Sequence, residues 1–204
     1  MENYSIKAAK ALLLMVDVQN DFCPGGALAV NNGDEVIPPL NALAAALYAK
    51  GGRVVATQDW HPAGHVSFGE ELWPPHCVQG TNGAAFHEKL DLKPVSMIIR
   101  KGCRLEMDSY SGFFENDRQT PTGLDGWIRS LGIDTVILGG LATDYCVFFS
   151  AMDSKDLGLK TIVVSDAVRG VGIPEGSVEN AVSTMKSEGI KFVTSMELLD
   201  WLKK

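Results

Sequence analysis

The sequence has no cluster of lysine and arginine residues. Across its 204 residues, 25 acidic side chains outnumber 18 basic ones, and the net charge is -7. A protein that binds nucleic acid needs a basic face to neutralise phosphates. We therefore expect no nucleic-acid partner, and the acidic balance suits a protein that binds small molecules.

Long apolar runs are also missing. The first apolar run, Leu12–Val16, ends at Asp17 and is too short to cross a bilayer. The residues before it lack the small-residue cleavage pattern of a signal peptide. We expect no membrane partner and a cytoplasmic location.

Cysteine is scarce and widely spaced. The four cysteines, Cys23, Cys77, Cys103 and Cys146, include no CxxC pair. Such thiols are usually free in a reducing compartment, and a single cysteine is most often a small buried hydrophobe.

Strand-like and helix-like segments alternate along the chain, without an internal repeat or a linker. The predicted strands are Leu12–Val16, Arg53–Thr57, Ser96–Arg100, Thr135–Leu138, Thr161–Val164 and Lys191–Thr194. The predicted helices are Val36–Lys50, Asp125–Leu131, Tyr145–Leu157, Ser177–Gly189 and Glu197–Leu202, and Trp60–Pro94 reads mostly as loop. This alternation predicts one α/β domain over residues 1–204, with a mostly parallel sheet of about six strands and helices on both faces.

Polar residues follow several of the predicted strands. Asp17, Asp59 and Lys101 each lie at or just past a strand end, and the turn GGLATDYC follows the strand at Thr135–Leu138. Ligands bind beside the carboxyl ends of strands in open parallel sheets. The sequence therefore predicts a functional site at this edge.

Cys146 is a candidate nucleophile. Gly139 and Gly140 are predicted to end a strand, and Thr143 or Asp144 can cap the helix that follows. Cys146 then falls in the first helical turn, where the helix dipole favours a thiolate and backbone N–H groups can hold an oxyanion. The alternative is a buried core cysteine at a helix start.

A cysteine nucleophile needs a base or a positive neighbour. Asp17 could shuttle the proton, and Lys101 could stabilise negative charge. The alternatives are that Asp17 caps a turn with Asn20 and Asp21, and that Lys101 is a solvated surface residue.

A metal site is predicted from Asp59, His61 and His76. Residues two apart in an extended chain point the same way, so Asp59 and His61 can aim at one point. One carboxylate and two imidazoles suit zinc, iron or manganese. Cys77 is a rival ligand that would point away from His76 in an extended chain, and the alternative to any metal is a set of loop histidines bonded to backbone.

Three aromatic residues, Phe22, Trp73 and Tyr110, lie in loops near the predicted site. Flat apolar walls with a few polar anchors suit a small aromatic ligand. Ordinary loop packing is the alternative for each residue taken singly.

Taken together, these segments resemble the nicotinamidase/pyrazinamidase branch of the isochorismatase-like cysteine hydrolases. The matching pieces, in order, are MVDVQNDFCPGGAL, TQDWHPAGHVSF, WPPHCVQGTNGAAFH, RKG, DSYSGFF and GGLATDYCV. The resemblance implies a three-layer, Rossmann-like fold. It also implies the following sites: a catalytic triad of Asp17, Lys101 and Cys146; metal ligands Asp59, His61 and His76; a cis peptide at Leu141–Ala142; oxyanion donors in the N–H groups of Ala142 and Cys146; and ring contacts from Phe22, Trp73 and Tyr110. His65 matches a residue that some members use as a fourth ligand and others replace by water.

The activity implied by the resemblance is the hydrolysis of nicotinamide to nicotinate and ammonia through a thioester, as in NAD salvage, and of pyrazinamide as well. One divalent metal ion, zinc before iron or manganese, would hold the pyridine nitrogen. Two alternatives stay open: another amide or ureido hydrolase of the superfamily, which would commonly lack the metal ligands, and a catalytically silent nicotinamide-binding protein. A homo-oligomer is also left open.

Overall fold

The computed structural model describes residues 6–69 and 73–203. Within them the strands are β1 (Ala11–Val16), β2 (Arg53–Asp59), β3 (Val95–Lys101), β4 (Thr135–Leu141), β5 (Lys160–Arg169) and β6 (Lys191–Val193). The helices are α1 (Ile37–Ala49), α2 (Leu124–Ser130), α3 (Cys146–Asp156), α4 (Ser177–Ser187) and α5 (Ser195–Lys203), with short 3-10 turns at Ala8–Lys10, Asn20–Phe22 and Gly33–Val36. Residues 70–72 of the predicted loop Trp60–Pro94 lie outside the described residues.

The strands form one six-stranded sheet in the order β3-β2-β1-β4-β5-β6, and every neighbouring pair is parallel. Strand β1 lies in the interior of the sheet, and all six of its residues are apolar and buried, as expected for a strand covered on both faces. From β1 the strands follow one another outward to β3, and β4 then starts a second series on the other side of β1. The boundary between β1 and β4 is the switch point at which open parallel sheets bind ligands. The predicted parallel sheet is confirmed.

Two hydrophobic cores lie on opposite faces of the sheet. Leu13 and Met15 of β1 face the core that contains α1 and α5, whereas Leu12, Leu14 and Val16 face the core of α2, α3 and α4. This alternation follows from the two-residue period of a strand. Helices on both faces are thus confirmed, and no helix in the described part of the chain is both long and apolar enough to span a bilayer.

Strand β4 is longer than the sequence predicted, because Gly139 and Gly140 continue the strand to Leu141 rather than ending it. Gly140 has a φ of +124°, and a side chain there would come within 2.1 Å of the Val16 carbonyl oxygen. Glycine therefore allows β1 and β4 to approach closely at the switch point.

Candidate active site

Four chain segments deliver side chains to the carboxyl edge of the sheet. Asp17 follows β1, Asp59 and Lys101 are the last residues of β2 and β3, and Cys146 is the first residue of α3 after the turn from β4. The edge expected from the sequence therefore holds these four side chains together.

Lys101 lies at the centre of the group. Its Nζ is 2.8 Å from Asp17 Oδ2 and pairs directly with an oxygen of Asp59. It also donates to the Ser109 carbonyl at 3.0 Å and to Cys146 Sγ at 3.3 Å. Because Lys101 is only 2% exposed, it is not the solvated surface residue of the alternative interpretation.

Asp17 is fully buried between Lys101 and Thr57. The Thr57 hydroxyl donates to Asp17 Oδ1 at 2.6 Å, and the Asp17 N–H donates back to Thr57 Oγ1 at 3.1 Å. Its carboxylate thus faces the site rather than capping the turn at Asn20 and Asp21. Burial raises the pKa of Asp17 to about 6, although the charge of Lys101 opposes that rise.

Cys146 is 6% exposed, and its sulfur lies within 4.8 Å of a carboxylate oxygen of Asp17. Burial raises the pKa of the Cys146 thiol well above its ordinary value, and the nearby Lys101 charge only partly offsets this. At neutral pH the resting sulfur is therefore a thiol, where the sequence had suggested a thiolate. Attack by this sulfur therefore needs a base such as Asp17.

The predicted helix cap is wrong. The residue before α3 is Tyr145, which makes no capping side-chain bond, and the Asp144 carboxylate instead binds the loop after β5. The Leu141–Ala142 peptide is cis, at the position that the resemblance implied. The Ala142 carbonyl accepts from the N–H groups of Tyr145 and Val147, both at 3.1 Å. The Cys146 N–H, at the start of the helix, has no intrahelical acceptor.

Asp59, His61 and His76 present ligand atoms that all lie within 4.8 Å of one another. His61 Nδ1 is 2.9 Å from the Gly102 carbonyl oxygen, and His76 Nδ1 is 2.8 Å from that of Pro74. These carbonyls require an N–H at Nδ1, so each ring presents its Nε2 lone pair. The backbone bonds foreseen in the alternative do exist, and they leave the Nε2 atom of each ring available to a metal ion.

The electrostatics of this trio also suit a cation. One Asp59 oxygen pairs with Lys101, and the other lies 3.6 Å from His61 Nε2. Burial lowers the pKa of His76, which keeps its ring neutral and able to coordinate. Burial also acts to lower the pKa of His61, but the hydrogen bond and the charge of Asp59 outweigh it and raise that pKa, so a metal ion would replace a proton on the His61 ring. The donor set fits a divalent metal ion.

His65 and Cys77 stand apart from the trio. The His65 ring stacks on His61 at 4.2 Å and joins a second group with His61 and Asp108. Its Nδ1 lies 2.7 Å from Ser67 Oγ. Cys77 has a φ of +46° and is not extended, and its N–H donates to Asp21 Oδ2 at 2.7 Å. Among the described residues, Cys77 belongs to none of the candidate metal groups.

Several supporting residues were not found from the sequence. The Gln19 side chain donates to the Asp59 carbonyl and accepts from the Asp59 N–H, both at 2.8 Å. The Phe68 ring packs edge-on against His61, His65 and His76. Phe68 lies in the segment TQDWHPAGHVSF together with His61 and His65, and this closeness along the sequence was the signal that could have indicated the contact.

One pocket is lined both by Cys146 and by the trio Asp59, His61 and His76. Its lining residues are Phe22, Leu28, Asp59, His61, Trp73, His76, Asp108, Tyr110, Ala142, Tyr145, Cys146 and Val171. The three predicted aromatics all lie in the wall, and Trp73 Nε1 donates to the Tyr110 hydroxyl at 3.2 Å. Tyr145, a further aromatic of the wall that was not predicted from the sequence, packs its ring against Trp73 at 5.0 Å. Asp17 and Lys101 are not among the lining residues, and both contact residues that are: Lys101 contacts Asp59 and Cys146, and Asp17 lies close to Cys146.

Comparison with known protein families shows which family the chain belongs to. The family model of the isochorismatase domain matches residues 11–197. The chain belongs to the isochorismatase family. The family resemblance inferred from the motifs is thereby confirmed.

Within this family the chain is similar to proteins named as nicotinamidases. It is 41% identical to the nicotinamidase of Acinetobacter baylyi ADP1 over 95% of this chain and 96% of the relative. It is 42% identical to that of Escherichia coli K12 over 93% of this chain and 95% of the relative.

Solved structures show the same relationship. The Acinetobacter baumanii nicotinamidase/pyrazinamidase superposes with a TM-score of 0.89 at 43% identity, covering 93% of this chain and 98% of that one. A pyrazinamidase of Pyrococcus horikoshii in complex with zinc superposes with a TM-score of 0.82 at 40% identity, covering 91% of this chain and 99% of that one.

Proposed function

We propose that this protein is a nicotinamidase, an amidohydrolase that converts nicotinamide and water to nicotinate and ammonia in NAD salvage, with pyrazinamide as a further substrate. The observation that carries the proposal is an aromatic-walled pocket that is lined both by Cys146 and by the ligand trio Asp59, His61 and His76. Its apolar walls, which include Phe22, Trp73 and Tyr110, suit one small aromatic ring. Relatives that carry this name at 41% and 42% identity support the assignment.

Acylation begins with proton transfer from the Cys146 thiol to the Asp17 carboxylate. The sulfur then attacks the carboxamide carbon and forms a carbon–sulfur bond. The backbone N–H groups of Ala142 and Cys146 donate to the developing oxyanion. Lys101, 3.3 Å from the sulfur, stabilises the negative charge on that side.

The carbon–nitrogen bond breaks next, and ammonia leaves with the proton that Asp17 returns. A water molecule then gives a proton to Asp17 and attacks the thioester carbon. The carbon–sulfur bond breaks, nicotinate is released, and the sulfur regains its proton from Asp17. One carboxylate thus serves as base and acid in both halves of the reaction.

We further propose that Asp59, His61 and His76 hold one divalent cation, zinc before iron or manganese. When bound, the ion supplies a coordination position for the ring nitrogen of the substrate. The oriented Nε2 atoms of His61 and His76 support this assignment, and a related pyrazinamidase was solved with zinc. His65 supports the ring of His61 by stacking. Phe22, Trp73 and Tyr110 are proposed as ring contacts.

The remaining parts of the proposal concern the chain as a whole. Residues 1–204 are proposed to act as one cytoplasmic domain whose partner is the small-molecule substrate. The acidic charge of -7 supports the absence of a nucleic-acid partner.

Ammonia release from nicotinamide by wild type, Cys146→Ala and Cys103→Ala tests the nucleophile. Loss of a nucleophile lowers the rate by about 1,000-fold or more, so we expect Cys146→Ala to lose activity and still bind nicotinamide. Cys103 is exposed and does not line the pocket, so Cys103→Ala serves as the matched control and keeps its activity. Normal hydrolysis by Cys146→Ala would overturn the assignment.

The same assay after metal removal separates the proposal from a metal-independent ureido or amide hydrolase. We expect chelation to abolish nicotinamide turnover and zinc to restore it. Full activity without metal would favour the alternative hydrolase.

A further inference from the structure

The loop between β5 and α4, residues 170–176, is tied to the three residues that precede Cys146. The Thr143 N–H donates to the Arg169 carbonyl at 2.9 Å, just before the loop begins. The Tyr145 hydroxyl donates to the Ile173 carbonyl at 2.5 Å. Residues 143–145, here called the nucleophile turn, are therefore bonded both to the residue before the loop and to the middle of the loop.

Asp144 makes the largest share of these contacts. Its Oδ1 accepts from the Val171 N–H at 2.9 Å, and its Oδ2 accepts from the Gly172 N–H at 2.9 Å and from the Ser177 hydroxyl at 2.6 Å. Asp144 is only 7% exposed. Hydrogen bonds to a carboxylate are stronger than neutral ones, and burial protects them from competing water.

The tethered loop forms part of the pocket wall. Val171 and Tyr145 both line the pocket beside Cys146, whereas Asp144 does not. The loop is also closely packed, since a side chain on Gly170 would come within 2.3 Å of Val178. Connecting loops are mobile unless they are anchored, and small displacements of a substrate-positioning wall are costly for catalysis.

We propose that Asp144 is a positioning residue that fixes the Val171 wall relative to Cys146, and that it thereby selects unsubstituted single-ring carboxamides over carboxamides with a substituent on the ring. The inference rests on the proposed function, because it concerns the substrate of that same pocket. Asp144 acts through Val171 and does not touch the substrate.

Asp144→Asn tests the proposal, because it keeps the size of the side chain but replaces one carboxylate oxygen with an NH2 group. That group would face the N–H and hydroxyl donors that the oxygen now accepts from. We expect the KM for nicotinamide to rise about tenfold while kcat changes less than about threefold, since the wall binds the ring and the reacting groups stay in place. The preference for nicotinamide over 5-methylnicotinamide, measured as a ratio of kcat/KM values, should fall about tenfold. Ser177→Ala removes only one of the three bonds and should shift KM and selectivity in the same direction by less, which keeps the test available if Asp144→Asn does not fold.

Asp166→Asn is the matched control. Asp166 accepts from the Ser195 N–H at 2.7 Å and from the Ser195 hydroxyl at 2.6 Å, a similar tether at the start of α5. It is not among the residues that line the pocket. We expect this variant to keep the wild-type KM and selectivity.

Amide hydrogen exchange gives a readout that does not depend on the substrate. Exchange at Val171 and Gly172 should speed up about tenfold or more in Asp144→Asn and stay unchanged in Asp166→Asn. Faster exchange with unchanged KM and selectivity would overturn the proposal, as would unchanged exchange. If wild type releases no ammonia from nicotinamide, the proposed function and the selectivity claim both fail. If wild type turns over normally and Asp144→Asn has the wild-type KM and selectivity, only the positioning role is refuted.

Discussion

Replacing Lys101 by methionine removes the counter-ion that two buried carboxylates share. Lys101 Nζ lies 2.8 Å from Asp17 Oδ2 and also pairs with Asp59, and both acids are less than 5% exposed. Methionine has a similar length and apolar stem, so the substitution mainly deletes the charge. The two carboxylates are left facing each other in a desolvated site.

Removing one partner of a buried ion pair costs about 3–5 kcal/mol, because the other charge stays buried and uncompensated. A domain of this kind has a free energy of unfolding of about 5–15 kcal/mol. With a urea slope of about 2 kcal/mol per molar, the unfolding midpoint of Lys101→Met should fall by about 2 M.

The loss of unfolding free energy in Lys101→Met should depend on pH. Without Lys101 the pKa of Asp17 in the folded state rises further above its unfolded value, because the opposing positive charge is gone. The folded state then binds a proton more tightly than the unfolded state, so lowering the pH stabilises the variant. The deficit should be largest at pH 8 and smaller at pH 5.

Urea unfolding of metal-free protein, followed by tryptophan fluorescence at pH 8 and pH 5, measures both effects. Lys155→Met is the control, since Lys155 pairs with Glu188 on the surface at 2.7 Å, and exposed ion pairs contribute little. Adding Asp17→Asn to Lys101→Met should recover part of the stability by removing one stranded charge. A Lys101→Met variant with the wild-type midpoint at both pH values would refute this account of the site.

Three further predictions follow from the same geometry. The value of kcat/KM should fall as the pH drops below about 6, because Asp17 with a pKa of about 6 must be ionised to accept the thiol proton; a flat profile down to pH 5 would contradict this. Thr57→Val removes a hydrogen bond that lowers the pKa of Asp17, so the acid limb of that profile should move to higher pH, and an unmoved limb would count against the contact. Asp59→Ala should lower the bound metal measured by elemental analysis and weaken nicotinamide binding, and full metal occupancy in that variant would contradict the ligand set.

The elements of this fold were largely predictable because their signals are local. The uninterrupted apolar run Leu12–Val16 indicates a strand covered on both faces, and β1 is buried along its whole length. The boundaries of β4 were less predictable. Gly139 and Gly140 read as a strand end, yet they continue the strand, because only glycine allows the close approach to Val16 on β1. That approach is a property of the assembled sheet.

For the candidate site, the sequence by itself determined the residue types and the edge at which they meet. The carboxyl ends of parallel strands share one edge, so Asp17, Asp59 and Lys101 could be expected together without coordinates. The short spacing from Asp59 to His61 was a further local signal.

Only the tertiary structure decided how those groups behave. A lysine is rarely buried, and Lys101 is buried only because two carboxylates from other strands surround it. The Cys146 sulfur rests as a thiol, and Asp144 ties a distant loop to the nucleophile turn rather than capping its helix. Protonation states depend on desolvation, and tethers depend on partners brought together from separate elements. The amino-acid sequence alone shows neither the desolvation nor the partners.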